Sequence, residues 1–561
     1  MVDQSQPTVA VDFGTSTMLV AVRTGDEDPD LIIPIGDIEP WMPSLVGVAD
    51  DGSCVYGEAA EQLHPDKVIR SIKTLLGDNV STVTLAEQGV RRVDGLIQGL
   101  IEEALRRAKE RAAPEIRRFL EPSSTVPIHL GCPANWTGEP RRRLGEIATQ
   151  ARLRVLPDEI VDEPIAAGIS WCMGSQAAGQ VFPEGQALVF DYGGGTLDVA
   201  VLGVTRREGA SHPDISVLSA SALSMAGDEL DGRISRELKA SLHNERWSDD
   251  QDEVEKDQLI LKAARELKHA LSDRDEHEVS VLGLSTPVCY TRQQLEVVFQ
   301  DQLQRAMKFV FSEIRASVAR QREANIGTIR ATSEERLAEE IDHFLLAGGM
   351  SRIPCVQVEL ENRLNAPALP HPHFDTPEMS VVAGLTFRDV VGRLNIHRPG
   401  FNFIAQYLNK RDTMINEQVL YEAFSPLYKP SEPVTQVADL GHRVVLEVPE
   451  GAVRVRVICR TVSDRAVPLV SGGQVMDDPT VEVSNRPVRI RRYRRHGNKP
   501  FFKLYVDGRI IISGKTVSKF TVERWPSLAS GLAAELHVQP VESRSSWYSR
   551  ANDPDSYHYN R

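Results

Sequence analysis

No C-x-x-C pair occurs anywhere in the 561-residue chain, and its six cysteines (Cys54, Cys132, Cys172, Cys289, Cys355, Cys459) are scattered. That pattern argues against a zinc site or a disulfide framework and fits reduced thiols in a cytoplasm. Cys132 and Cys355 fall near expected loops, but nothing around them marks a nucleophile. Missing too is any apolar run approaching the roughly 20 residues of a membrane span, so no membrane partner is expected. Residues 1–7 lack the basic and apolar regions of a signal peptide. Low-complexity tracts are absent. An excess of positive charge is also absent: the formal net charge is -15, which argues against a protein that binds nucleic acid with its whole surface. What is present is 41% hydrophobic and 25% charged residues, the balance of a soluble globular protein. The length suffices for about three or four domains of ordinary size.

From residue 8 to about 390 strand-like and helix-like segments alternate, the mark of an α/β architecture. The pattern predicts strands over 8–11, 127–131, 188–190, 215–220 and 344–347. It predicts helices over 94–112, 140–151, 251–271, 291–322 and 334–342. After Gly392 the helical period fades, and R-V-V-L-E-V from Arg443, V-R-V-R-V from Val453 and F-K-L-Y-V from Phe502 read as strands. Residues 441–525 carry 17 Lys and Arg against 8 Asp and Glu, so a basic β-rich module hangs on an acidic α/β body. The boundaries read as 8–392 for the α/β domain, 393–535 for the β-rich domain and 536–561 for a disordered polar tail.

Two distant segments read almost alike: Asp12-Phe13-Gly14-Thr15-Ser16-Thr17 and Asp191-Tyr192-Gly193-Gly194-Gly195-Thr196. Each lies between two strand-like runs, the layout of a hairpin with a glycine-bearing tip. Glycines let backbone amides approach an anion closely, and Thr or Ser hydroxyls add donors. The leading aspartate repels bare phosphate, so it makes sense only with a divalent cation between them. The repetition implies a duplicated scaffold gripping a metal–nucleotide from both sides. A third segment, Leu345-Leu346-Ala347-Gly348-Gly349-Met350-Ser351-Arg352, follows a strand and opens a helix. Its small residues suit a flat ring laid on the backbone, with the Arg352 guanidinium stacked on it. A strand–Gly-Gly–helix turn also serves plain packing.

These three segments resemble the actin, sugar-kinase and heat-shock ATPase superfamily, and their order resembles the 70-kilodalton heat-shock chaperones. Further stretches match: 68–77 with Lys73, Pro133, the Asp162-Glu163-Pro164-Ile165-Ala166-Ala167-Gly168 run, Ala226-Gly227-Asp228-Glu229-Leu230-Asp231, and 377–384. The resemblance covers roughly residues 8 to 390. It implies a duplicated, two-lobed actin-like fold related to ribonuclease H, a bound ATP or ADP, and Mg²⁺ held by Asp12 and Asp191. It implies catalytic roles for Lys73, Glu163, Asp191 and Thr196. It implies a nucleotide cradle of Gly14, Thr15, Ser16, Gly193, Gly194, Gly195, Asp198, Gly227, Lys268, Gly348, Gly349 and Arg352. Alone, Lys73 reads as a solvated helix lysine, Glu163 as a cap beside Pro164 and Asp198 as a partner for a nearby amide; the shared order changes those readings.

The resemblance also breaks. Arg265 stands where that family presents a Glu seven residues before the Ser of an L-S ending, although Lys268 remains. Met350 replaces the Ser after Gly-Gly, with its thioether expected to face the base. The sugar and base pocket is therefore expected to be remodelled, with nucleotide affinity weaker or less adenine-selective than in ordinary members, unless Glu266 shifts by one residue and restores the contact. Residues 388–394 replace the family's leucine-rich linker, and the stretch after Trp525 leaves no room for its helical lid, so ATP-coupled peptide clamping is doubtful. Arg489, Arg491, Arg492, Arg494, Arg495, Tyr493 and Lys499 suit phosphate contacts, but an edge hairpin kept from aggregating by its charges explains them better.

The sequence thus points to a cytoplasmic ATPase of heat-shock-chaperone type. Nucleotide state would control how the C-terminal module holds a protein client, with a co-chaperone or exchange factor implied by the resemblance. Two alternatives stand beside it: a non-hydrolysing, nucleotide-gated scaffold, and a small-molecule kinase of the sugar-kinase branch, which Lys73 and the Glu163 run disfavour.

Overall fold

A computed structural model describes residues 7–25, 31–85, 89–121, 126–155, 160–180, 184–205, 213–243, 245, 247, 253–321, 332–372, 376–387, 400–408, 415–425, 441–467, 469–471, 474–475, 480–485, 499–505, 509–512, 519–524 and 534–539. All six cysteines are free thiols. Among the described residues, no helix is long and apolar enough to cross a membrane.

The strand Thr8–Phe13 is buried at every position, and such two-sided burial is why its sequence is an almost unbroken apolar run. It pairs antiparallel with Thr17–Arg23, with Asp12 opposite Leu19 and Phe13 opposite Met18. Leu31–Ile33 continues the sheet beyond Thr17–Arg23. On its other side Thr8–Phe13 runs parallel to Ile128–Cys132, which is itself parallel to Val161–Asp162. The second sheet repeats this order. Gly185–Tyr192 pairs antiparallel with Leu197–Thr205, placing Asp191 opposite Asp198. Leu197–Thr205 pairs with Asp214–Leu223, and Gly185–Tyr192 runs parallel to His343–Ala347. Each sheet is therefore a hairpin flanked by one antiparallel and one parallel strand, with an Asp-first loop at the hairpin tip. The chain is mixed α/β, and duplication is visible in its topology.

The helices Glu163–Ala177 and Ser380–Leu385 pack between the sheets, and one apolar core joins Ala10, Leu19 and Ala21 of the first to Val189, Ala200 and Leu345 of the second. The expected helices appear as Val93–Arg111, Gly138–Gln150, Glu253–Asp273 and Arg292–Gln321. The helix expected over 334–342 stops at Ala338. Its last residues instead feed the sheet: Asp342 donates its amide to the Gln186 carbonyl at 3.0 Å and accepts from the Gln186 amide at 2.7 Å.

Among the described residues after 400, every regular element is a strand. Phe401–Leu408 lies between Ile415–Tyr421 and Gly451–Thr461, and Gly441–Val445 pairs with Phe501–Tyr505 in a second sheet. The expected boundary at 392/393, residues 489–495 of the basic cluster and positions 540–561 lie outside the described residues. The strand Ala534–Gln539 overruns the expected domain end at 535, because its apolar/polar alternation pairs Leu536 with Val522 and Val538 with Phe520.

Candidate functional site

Both hairpin tips close in the same way: the Gly14 amide donates to the Thr17 carbonyl at 2.9 Å, and the Gly193 amide to the Thr196 carbonyl at 3.0 Å. The tips then face one another. A Cβ on Gly194 would stand 2.0 Å from Ser16 Oγ, and one on Gly195 would stand 2.6 Å from Thr15 Oγ1. A side chain at either position would force Ser16 or Thr15 to turn away, so glycine suits Gly194 and Gly195. Gly227 lies against Gly194, and the Asp228 amide donates to the Gly194 carbonyl at 2.8 Å. Gly348 adopts φ +74°, and a Cβ there would stand 2.5 Å from Asp191 Oδ1 and from the Tyr192 carbonyl oxygen. The third glycine segment thus borders the second loop. The first loop is pinned by Ser44, whose hydroxyl donates to the Gly14 carbonyl and whose amide donates to the Ser16 carbonyl, both at 2.8 Å.

Beneath the tips lies a buried charge cluster. Lys73, 2% exposed, is ion-paired with Glu163. The buried carboxylates of Asp12, Asp191 and Asp198 complete the cluster. Burial, then Glu163, pushes Asp12 up to about 7, with Lys73 pulling the other way. Asp198 is also pushed to about 7 by burial and Glu163, against hydrogen bonds from Thr196 and the Ala134 amide. Asp191 is raised well above the usual carboxylate value by burial, then by Asp198, Glu163 and Asp12. Burial works against the Lys73 charge, yet Glu163 and Asp12 hold its ammonium above the ordinary value. The Ala134 amide donates to Asp198 Oδ1 at 2.6 Å and so ties the Pro133 turn to the second hairpin. A cavity beside Lys73 is lined by Thr15, Gly195, Thr196, Pro133, Asn135 and Trp136.

Four buried carboxylates around one ammonium leave negative charge uncompensated. Among the described residues, no three His, Cys, Asp or Glu side chains stand close enough to ligate a metal by themselves. That donor set fits a hydrated Mg²⁺, which keeps several waters and takes one or two carboxylates. Cys132 borders this cluster as an inert group, its buried thiol pushed up to about 12.

At the far end, Lys268 pairs with Asp231 at 2.7 Å and donates to the Gly227 carbonyl at 3.3 Å. Arg265 donates from Nε to the other Asp231 oxygen at 3.3 Å. Glu266 does not shift into the place of Arg265: its side chain is half-exposed and lies 3.6 Å from His277 Nε2. Arg352 donates from Nη2 to both Asp273 carboxylate oxygens, at 2.9 and 3.1 Å, beside Gly349 and Glu378. Met350 departs from expectation. It is 4% exposed and packs into the apolar core with Phe344 and Val356, because the turn Gly349–Arg352 directs it away from the cleft.

Some connections escaped the sequence reading. Ser71 adopts φ 50° and donates its hydroxyl to Asp228 across the cleft mouth, just before the helix Ile72–Gly77 that carries Lys73. Arg141 is fully buried, ion-paired with Asp162, and bonded to the Ile160 and Trp136 carbonyls at 2.9 and 3.1 Å. Its guanidinium carbon lies 3.7 Å from the ring centroid of Phe424, in the β-rich part. The Gly138 amide donates to the Ala423 carbonyl at 2.7 Å. The motif around Glu163 contained Asp162, but no local signal marked the partner of that carboxylate.

A family model described as Hsp70 protein matches residues 123–374, from the edge of the first sheet through the third glycine segment. The chaperone protein DnaK of Thermosipho melanesiensis is 26% identical over 363 residues, 64% of this chain and 55% of that protein. The DnaK of Thermotoga maritima is 26% identical over 364 residues, with the same coverage of each. The chain spans about half the length of these curated relatives. With the Asp-first loops, the Lys73–Glu163 pair and the Gly-Gly turn converging on one cleft, these matches support a divergent member of the Hsp70 family.

Proposed function

We propose that the cleft binds ATP with Mg²⁺ and hydrolyses it, and that the nucleotide state governs how the β-rich module engages a protein client. The observation that carries this reading is the buried Lys73–Glu163 pair among Asp12, Asp191 and Asp198, beneath two facing glycine loops. Asp12 and Asp191 would hold the hydrated metal, which supplies positive charge at the phosphates. Backbone amides of Thr15, Ser16 and Gly194–Thr196 cradle the phosphates, the Gly14 amide being spent on the Thr17 carbonyl, and the Thr15 and Thr196 hydroxyls donate toward the terminal one. Lys73 Nζ holds a proton and neutralises developing charge, while Glu163 and Asp198 orient the attacking water. Phosphoryl transfer asks mainly for this positioning and charge compensation. Lys268, Gly227, Gly348, Gly349 and Arg352 would flank the nucleoside.

We divide the chain at residue 392, with two lobes on the N-terminal side that close about the cleft. The shared four-strand arrangement of the two sheets, a hairpin with one antiparallel and one parallel neighbour, favours that view. Coupling to the β-rich module is favoured by Asp162. This residue directly precedes Glu163 and holds Arg141, which stacks on Phe424. A closure that moves Glu163 would reach Phe424 through two side chains. Six free thiols suit a reducing compartment such as the cytoplasm. A co-chaperone or exchange factor belongs to the same reading.

The test is phosphate release by the purified full chain with ATP and Mg²⁺ and no added acceptor. Steady release that disappears in Lys73→Ala supports the ATPase. Binding without release sinks hydrolysis and favours the nucleotide-gated scaffold. Turnover only with an added hydroxyl compound favours the kinase.

A further inference from the structure

Arg70 is a cation without a partner of its own. Half-buried between the strand Val68–Ile69 and Ser71, it makes no hydrogen bond or ion pair among the described residues. The charged groups facing it are Arg265, Asp228 and Asp231 from the second half of the domain and Glu61 from its own side. Those aspartates are already engaged, and Glu61 is solvent-exposed and makes no hydrogen bond or ion pair with Arg70. Asp228 accepts from the Ser71 hydroxyl, and Asp231 holds Lys268 at 2.7 Å and Arg265 Nε at 3.3 Å. Burial and the nearby Arg265 both work against the Arg70 charge. Arg265 itself spends only Nε on Asp231, so two guanidiniums converge with donors to spare. A half-buried cation is costly unless something negative completes it.

The position of this cluster within the cleft identifies the group that would complete it. Lys268 bonds the carbonyl of Gly227, and Gly227 lies against Gly194 of the phosphate loop. Farther along the same helix, Asp273 holds Arg352 of the Gly348–Arg352 turn. Arg265 and Lys268 therefore stand between the part of the cleft that suits phosphates and the part that suits a base, where a ribose would lie. We propose that this end of the cleft takes a nucleotide bearing a phosphate on its ribose, the 2′ or 3′ ester being held by Arg70 and Arg265. The inference rests on the nucleotide reading of the cleft. Paired arginines suit a phosphate because each presents a planar fork of donors to its oxygens.

The test compares four probes on the full chain by calorimetry at low ionic strength: AMP, adenosine 2′,5′-bisphosphate, adenosine 3′,5′-bisphosphate and ADP. One of the bisphosphates should bind at least about tenfold more tightly than AMP, as expected for charge-assisted bonds to one added phosphate. The gain should shrink as salt is raised. In Arg70→Gln/Arg265→Gln the ratio of bisphosphate to AMP affinity should fall to near one. The wild-type ratio stands as the test even where that variant fails to fold. If ADP binds while neither bisphosphate exceeds AMP, the ribose-phosphate site is overturned and the nucleotide reading survives. If ADP also fails to bind, both are overturned.

Discussion

Replacing Lys73 by Met removes the one ammonium from a site holding Glu163, Asp12, Asp191 and Asp198, and does so at nearly constant volume. Losing one partner of a buried ion pair costs roughly 3–5 kcal/mol when the other stays charged. The cluster has an escape, because Asp12 and Asp198 already titrate at about 7 and can take up protons. Their folded pKa lies above the unfolded value of 3.8, so the folded state binds protons more tightly than the unfolded one. Stability therefore falls as pH rises from the unfolded pKa to the folded one and levels off above it. Lys73 pulls both carboxyls down, so its removal extends that falling stretch upward past 7. Each added pKa unit costs a further 1.4 kcal/mol or so above the wild-type value. The penalty of Lys73→Met should accordingly be larger at pH 8 than at pH 6, by about 1–3 kcal/mol for two carboxyls. Urea midpoints followed by intrinsic tryptophan fluorescence, without nucleotide or metal, measure it. A penalty equal at both pH values, or larger at pH 6, would refute the account of the cluster.

Three further outcomes follow from contacts elsewhere in the cleft. Gly195→Val should cut nucleotide affinity at least about tenfold in an equilibrium binding assay, since even a Cβ there would stand 2.6 Å from Thr15 Oγ1. Ser71→Ala should speed nucleotide release about fivefold in stopped flow, the loss of roughly 1 kcal/mol from one hydrogen bond across the cleft mouth; an unchanged off-rate would show that this bond does not hold the cleft closed. Phe424→Ala should leave acceptor-free phosphate release in place while making protease cleavage of the β-rich module the same with and without ATP. Cleavage that still responds to ATP would mean that the Arg141 contact does not carry the coupling.

The paired glycine loops were legible in the sequence because their constraints are local. A tight hairpin tip writes itself as an Asp-first glycine loop, and the structure brings Gly194 and Gly195 against Ser16 and Thr15. The far end of the cleft, around Arg265 and Gly349, was less legible, because what matters there is which way a side chain turns. Met350 sits next to Gly349 in the chain, yet it belongs to the apolar core. Glu266 adjoins Arg265 but turns toward His277, one residue along a helix being about 100° around its axis. The least legible features were pairs made across long chain distances: Ser71 with Asp228, Arg141 with Asp162, and Arg141 with Phe424. None has a periodic or compositional signature, since each partner is ordinary in its own segment. Arg70 shows the consequence most clearly. In the sequence it is one more basic residue in a chain with 64 Lys and Arg, and only the fold reveals that the two aspartates beside it are already occupied. Composition counts charges, but whether a charge is spent depends on the fold, and an unspent buried charge is what points to a ligand.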